Sequence, residues 1–196
     1  MLLGFDFDSV IADTGLSLCG ILTEFLGTQV IPEHINYYGL EHNFSSLTPD
    51  DVRHIIDKTC GMEETLQIPP IDGAFDFLKW YAKSNPIYII TNREDIEPVK
   101  VYCSHQMGYN TFSKTHFISS KDKGSICGDL GITHFVEDCP RNLINLANNG
   151  IVPLMFIRNW NVNLFTGREL ITQLIRFIYN WEDVYSMIQC EQENII

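Results

Sequence analysis

The chain is short of positive charge, of long apolar runs and of paired cysteines, and each shortage removes a class of function. Lysine and arginine number 13 against 25 acidic residues, a formal charge of −12 over 196 residues. Nucleic-acid binders carry a basic stripe that neutralises phosphates. None is visible here, so a stable nucleic-acid partner is not expected. No apolar run reaches the roughly 18 residues that mark a membrane span, and no membrane association is expected. The opening MLLGFDFDSV has no basic segment and meets acid at once, unlike a secretory leader. Cys19, Cys60, Cys103, Cys127, Cys139 and Cys190 are scattered without a CxxC pair. They read as reduced thiols of a cytoplasmic protein, not as a disulfide frame or a zinc site. His34, His42, His54, His105, His116 and His134 show no HxxxH spacing, and read as surface or packing residues. No internal repeat or low-complexity tract stands out.

What remains is a globular chain, 45% apolar, of a size for one domain with an inserted subdomain. Strand-like runs at residues 2–6, 86–91, 116–119, 134–137 and 152–157 alternate with helical patterns at 71–84, 96–107, 124–130 and 141–148. That alternation predicts an α/β fold: parallel βαβ units, right-handed crossovers and a Rossmann-like sheet between two helical layers. Asp72 reads as the N-cap of the helix after Pro69-Pro70. Residues 168–188 carry Leu170, Ile171, Leu174, Ile175, Phe177, Ile178, Trp181, Val184 and Tyr185, and read as two more packed helices. Trp160 and Trp181 read as packing residues.

Residues 14–70 break the alternation. They hold helical pieces at 16–26 and 49–59 around the polar, aromatic IPEHINYYGLEHNF, too much for a plain crossover. A small helical cap inserted after the first strand is the expected arrangement, with 15–70 as cap and 1–14 plus 71–196 as core. A decorated loop packed on the core is the alternative.

The chemistry is expected where parallel strands end, since ligands of such sheets sit beyond their carboxyl ends. The first strand ends in Asp6 with Asp8 two residues on. The second ends in Thr91-Asn92-Arg93, and the fourth in Glu137-Asp138; Lys121 and Lys123 precede the helix leading into the fourth. Neighbouring carboxylates at a strand tip repel and lose hydration, so they call for a cation or a shared proton. Mg²⁺, which takes oxygen ligands, is the expected ion. Carboxylates, a hydroxyl, backbone donors and an ammonium at one edge suit phosphoryl transfer, where positioning and charge stabilisation dominate. The expected partner is a small phosphate ester; the oligomeric state stays open.

Asp6-Phe7-Asp8-Ser9-Val10, Ile90-Thr91-Asn92, Lys123 and Val136-Glu137-Asp138 reproduce in order the four motifs of the haloacid dehalogenase (HAD) superfamily. The insertion lies where that superfamily places its first type of cap. DFDSVIAD, QIPPIDGAFDFL and FVEDCPRNL further resemble the 5'(3')-deoxyribonucleotidase family and its bacterial and phage relatives. The resemblance spans roughly residues 1–161, with the cap matching in length and position only.

The resemblance implies Asp6 as a nucleophile forming an aspartyl-phosphate, and Asp8 as the acid that protonates the leaving alkoxide and then activates water. It implies Mg²⁺ held by the Asp6 carboxylate, the Asp8 main-chain carbonyl and Asp138. Thr91 and the Asn92 amide would bind the phosphoryl group, and Lys123 would neutralise charge. Superfamily dehalogenases lack an acid at the place of Asp8, so its presence favours ester hydrolysis over halide release. Two departures stand out. Ser9 occupies a turn position where many relatives have glycine, and Glu137 takes a place that is often Asp, which makes Asp138 the safer ligand and leaves Glu137 beside the metal or reaching it through water. Lys123 is preferred to Lys121 because KGSICGDLGI resembles the family's lysine-led helix. Tyr37, Tyr38 and Phe44 either stack on a nucleobase or form the core of the cap. Arg93 either touches substrate or caps the following helix. Cys139 reads as structural.

The activity expected is hydrolysis of nucleoside monophosphates, deoxyribonucleotides included. The rivals are a phosphatase for another metabolite such as a sugar phosphate, a nucleic-acid end phosphatase, and a non-catalytic phosphate-binding or regulatory module of receiver type. The charge balance disfavours the second. The Asp-x-Asp spacing, the place of the lysine and the insertion disfavour the third.

Overall fold

The computed structural model describes residues 1–162 and 174–193. Six parallel strands form one sheet: β1 (Leu3–Phe5), β2 (Ile87–Thr91), β3 (Thr115–Ser119), β4 (His134–Glu137), β5 (Val152–Phe156) and β6 (Arg176–Ile178). Their order is β3-β2-β1-β4-β5-β6. The order reverses between β1 and β4, and such a switch point opens a crevice at the strands' carboxyl ends.

Period-two alternation decides which helices cover which face. Leu3, Phe5, Ile87, Ile89, Val136 and Leu154 join one apolar cluster with residues of α5 (Ala74–Tyr81), α6 (Glu97–Met107) and α10 (Trp181–Glu193). Ile90 and Phe135 join another with Cys127 of α8 (Lys123–Asp129) and Leu146 of α9 (Pro140–Asn148). A short helix, α7 (Tyr109–Phe112), precedes β3. This is the expected three-layer Rossmann-like α/β fold, with the five expected strands in place.

Between β1 and β2 the chain forms α1 (Thr14–Leu26), a 3₁₀ turn (Pro32–His34), α2 (Leu40–Asn43), α3 (Pro49–Thr59) and α4 (Met62–Gln67). Local chemistry starts and stops these helices. Asp13 Oδ1 accepts from the Leu16 amide, Gly27 ends α1 at φ 65°, and Thr48 and Asp51 cap α3 reciprocally. Leu22, Val30, Ile35, Leu40, Leu47 and Ile55 bury one another in a cluster of their own. The segment's entry and exit run side by side: the Asp13 amide donates to the Pro69 carbonyl and the Ile71 amide to the Ile11 carbonyl, both at short range (2.8 and 2.9 Å).

Two expectations need correction. Part of the tail read as helix is a strand. Residues 168–173 lie outside the described residues, but Arg176–Ile178 is a strand whose register pairs it with Leu154–Phe156, so the edge that β5 offers overrides the helical spacing of Leu174, Ile175 and Ile178. Among the described residues of the tail, Trp181–Glu193 is the helix expected there. The N-cap of α5 is Gly73, not Asp72. Gly73 has φ 78°, and a Cβ there would stand 3.3 Å from Cβ of Trp181, so close packing on α10 displaces the side-chain cap.

Trp181 is the packing residue expected: its ring meets Phe5, Phe77 and Phe156, and its Nε1 donates to the Val10 carbonyl. Gly4, in the central strand, is equally constrained, because a Cβ there would fall 2.5 Å from Phe135 Cδ2. Gly4→Ala is therefore expected to destabilise the protein by roughly 1–3 kcal/mol through overpacking, seen as a lower midpoint in denaturant; an unchanged midpoint would contradict this packing.

Candidate active site

Backbone geometry first brings the acids together. β1 pairs with β4 so that Phe5 lies opposite Val136, and the Asp6 amide donates to the Val136 carbonyl. Asp6 thus leaves the sheet beside Glu137 and Asp138. Beyond Asp6 the chain turns sharply, with Ile11 and Ala12 both donating to the Phe7 carbonyl. Ser9 takes φ 59°, alone among the described non-glycine residues in the left-handed region, so the position where many relatives have glycine here holds a Cβ in a conformation that favours glycine. Arg158 Nε donates to the Ser9 carbonyl at 2.8 Å and holds the turn.

Lys123 lies at the start of α8, wholly buried, with Nζ 2.9 Å from Asp6 Oδ2 and 2.7 Å from Glu137 Oε2. Lys121 instead reaches Glu94 on the surface. Glu137 is wholly buried and fully engaged: Oε2 also accepts from Asn142, and Oε1 from the amides of Asp138 and Cys139. Asp6, Glu137 and Asp138 offer carboxylate oxygens within 4.8 Å of one another. Three carboxylates face one ammonium there. Burial, and then Glu137, push the Asp6 carboxyl well above its ordinary value. Burial, and then Asp6, push Asp138 up to about 7. An all-oxygen set with surplus negative charge fits a hard divalent cation.

Asp8 faces the other way. Burial would raise its pKa, but Arg93 outweighs burial and holds the carboxyl below its usual range. Arg93 Nε donates to Oδ2 at 2.9 Å, Arg93 Nη2 to Oδ1 at 2.7 Å, and Thr14 Oγ1 to Oδ1 at 2.7 Å. The side-chain cluster therefore consists of Asp6, Glu137 and Asp138, while the Asp8 carboxylate belongs to an arginine pair. This corrects the expectation for Arg93 in one respect: it does not cap α6, whose first residue has no side-chain cap.

A half-open cavity of about 430 Å³ adjoins these groups. Asp6, Asp8, Asn92, Arg93 and Asp138 line it together with Leu18, Ile35, Leu40, Val52, Ile56, Tyr37 and Tyr38, and the Tyr38 hydroxyl reaches Cys139, next to Asp138. Thr91 is fully buried, its hydroxyl accepting from the Arg93 amide at 3.2 Å, and of the Thr91–Asn92 pair only Asn92 lines the cavity. Phe44 packs into the insertion's apolar cluster.

Trp160 is more than a packing residue. Its Nε1 donates to Asp138 Oδ2 at 2.9 Å, and its ring also lines the cavity. The neighbouring Asn161, wholly buried, donates Nδ2 to the main-chain carbonyls of Asp138 and Phe156. Trp160 and Asn161 thus hold Asp138 by side chain and backbone together. Gly15 serves the same contact, since a Cβ there would meet Trp160 Cη2 at 2.8 Å. No motif in the sequence marks these residues; Gly15, in the first turn of α1, is the one local signal.

No family model matches the chain, and no curated protein matches it. Solved structures do. A haloacid dehalogenase-like family hydrolase from Streptococcus pneumoniae superposes with a TM-score of 0.65 at 15% identity, over 95% of this chain and 97% of the other. A protein from Lactobacillus plantarum provisionally named a phosphoglycolate phosphatase gives 0.62 at 11%, over 94% and 97%. A HAD family hydrolase from Deinococcus radiodurans, solved with phosphate and sodium bound, gives 0.61 at 14%, over 95% and 94%. At these identities the likeness establishes architecture: the chain has the HAD-like Rossmannoid fold. None of the three is named as a nucleotidase.

Two outcomes follow from the acid cluster. In metal-free protein, folding raises Asp138 from 3.8 to about 7, so between those pH values the folded chain keeps a proton that the unfolded chain has lost. Stability then falls as pH rises through that window. Thermal melting should show a higher midpoint at pH 5 than at pH 8 without metal, and Asp138→Asn should flatten the difference; a midpoint rising with pH in the metal-free protein would contradict the cluster. Trp160→Phe, which removes only the N–H donor, is expected to weaken divalent-cation binding by about 10- to 100-fold in calorimetric titration.

Proposed function

We propose that this protein is a Mg²⁺-dependent phosphomonoester hydrolase working through an aspartyl-phosphate, with (deoxy)nucleoside monophosphates as its substrates. The observation that supports this most is the meeting of Asp6, Asp8 and Asp138, from segments far apart in the chain, around one cavity, with Lys123 buried against Asp6 behind it.

In this reading Asp6 is the nucleophile. Its Oδ2 is held by Lys123, and Oδ1 accepts from the Phe7 amide at 2.7 Å, which fixes the carboxylate. A divalent cation held by Asp6, Asp138 and the Asp8 main-chain carbonyl, beside Glu137, would screen the repulsion between nucleophile and phosphate. An Asp6 oxygen attacks phosphorus and the ester P–O bond breaks. Asp8, a carboxylate while Arg93 and Thr14 donate to both its oxygens, takes the proton that a phosphate monoanion carries in and passes it to the leaving alkoxide. In the second half, Asp8 takes a proton from water, the water oxygen attacks phosphorus, and the Asp6–phosphate bond breaks. Such proton transfers supply about 10²–10⁴ in rate. Lys123 neutralises charge on Asp6 and the phosphoryl group, and the Thr91–Asn92 strand end binds the phosphoryl oxygens.

Residues 15–70 act as the cap in this account, enclosing the leaving group and excluding water. The cavity wall supplied by the insertion is aliphatic and aromatic, and in this reading Tyr37 and Tyr38 offer rings to a flat base. Arg93, the one arginine or lysine among the described lining residues, is already paired with Asp8, and Glu41 adds negative charge. That wall favours a neutral, flat leaving group over one with a second carboxylate. The absence of a disulfide at Cys19, Cys60, Cys103, Cys127 and Cys139 fits the cytoplasm as the proposed compartment.

With Mg²⁺, pure protein should release phosphate from an aryl phosphate and from nucleoside 5'-monophosphates, and Asp6→Asn should abolish release. kcat/KM for a nucleoside monophosphate should exceed that for phosphoglycolate by at least about tenfold, equivalent to about 1.4 kcal/mol. Binding of phosphate without any metal-dependent turnover would favour the regulatory-module reading.

A further inference from the structure

Arg93 does more than balance the charge of Asp8. Its guanidinium is buried, with the Arg93 residue 5% exposed, and three of its nitrogens are engaged by the protein. Nε and Nη2 grip both oxygens of Asp8. Nη1 points into the insertion, donating to Thr65 Oγ1 at 2.6 Å and to the Cys60 carbonyl at 3.4 Å. Thr65 lies on α4, is wholly buried, and has no part in the cavity wall. The plane of the guanidinium stands over Phe7, with Cζ 5.0 Å from the ring centroid. The Arg93 amide is tied to Thr91, and its carbonyl accepts from Ser119 Oγ at 2.7 Å, so the backbone that carries the guanidinium is anchored on β2 and β3.

We propose that α4 of the insertion orients Asp8 through Arg93, and that Thr65 is a positioning residue for proton transfer although it touches neither substrate nor Asp8. The physical basis is the rigid fork of the guanidinium. Its donors lie in one plane, so an acceptor at Nη1 fixes the direction in which Nε and Nη2 present themselves to Asp8. Without Thr65 Oγ1, the fork can rotate about its long side chain, and the Asp8 carboxylate turns with it. A misdirected proton donor is felt where the leaving group needs a proton. The contacts also join seating of the insertion to the acid: α4 must be docked for Arg93 to be held at both ends.

This rests on the phosphohydrolase reading, and the test separates the two. Thr65→Val keeps the shape and removes the acceptor; Thr65→Ser restores it. Arg93→Lys keeps the charge but cannot span both Asp8 oxygens and Thr65. The leaving-group dependence of kcat is measured with a nucleoside monophosphate, whose alkoxide needs a proton, and with p-nitrophenyl phosphate, whose phenolate leaves without one. Thr65→Val and Arg93→Lys should each lower kcat for the nucleotide at least about tenfold and for the aryl ester much less, and Thr65→Ser should recover the nucleotide rate. An equal loss on both substrates, or no loss on either, overturns the proposal.

A second readout is independent of turnover: the thermal stabilities of Thr65→Val, Asp8→Asn and the double variant. Coupling through Arg93 makes the double variant less destabilised than the sum of the two singles, and simple additivity overturns the strut. Wild-type protein inactive on both esters but with a non-additive cycle would sink the phosphohydrolase reading and leave the strut standing.

Discussion

Lys123 carries an ammonium with no solvent exposure, 2.9 Å from Asp6 and 2.7 Å from Glu137, and the arrangement of the acids depends on it. Removing an ammonium from water costs several kcal/mol, a cost offset here by two carboxylates at contact distance. Those carboxylates in turn come from different strands, β1 and β4, whose pairing at the switch point sets their separation. The ion pair is thus a consequence of sheet topology and also a condition for closing the sheet edge, since without Lys123 the acids would face one another unscreened. One ammonium does not balance three carboxylates, and Asp8 and Arg93 satisfy each other. Burial, and then the surplus, raise the affinity of Asp6 and Asp138 for protons, and a divalent cation would offset both by the same electrostatics.

Around that centre the chain is fixed by residues that serve position more than chemistry. Arg158 holds the Ser9 turn, Asn161 the backbone of Asp138, and Trp160 one oxygen of its side chain. Glu137 is held by four donors and keeps Lys123 in place. The insertion enters through Trp160, which packs against the insertion's apolar cluster, and through Arg93, which reaches α4. The acid cluster and Asp8 are therefore each braced by a different contact with the same inserted segment.

Much of this was legible in the sequence, because strands buried on both faces leave short apolar runs that stop abruptly at polar residues. Asp6, Thr91 and Glu137-Asp138 each close such a run, and parallel topology alone sends those ends to one edge. Lys123 could be preferred to Lys121 by resemblance, but burial distinguishes them physically: one ammonium is enclosed, the other lies at the surface with Glu94. What was not legible depends on contacts across long stretches of chain. Trp160 lies 22 residues from Asp138, and Thr65 28 residues from Arg93, with no periodicity to link either pair. The strand Arg176–Ile178 reads as helix because Leu174, Ile175 and Ile178 fit helical spacing equally well; only the free edge of β5 decides. Gly73 displaced Asp72 as a cap because Trp181, over a hundred residues on, packs where a side chain would stand.

The proposed activity requires one cation held by Asp6 and Asp138 while Lys123 stays on Asp6 Oδ2. Anomalous diffraction from crystals soaked in Mn²⁺, which takes the same oxygen ligands as Mg²⁺, tests it most directly. The predicted result is a single strong peak between the two carboxylates at the carboxyl ends of β1 and β4. Crystals saturated with Mn²⁺ that show no peak there, or a peak elsewhere on the acidic surface, would contradict it.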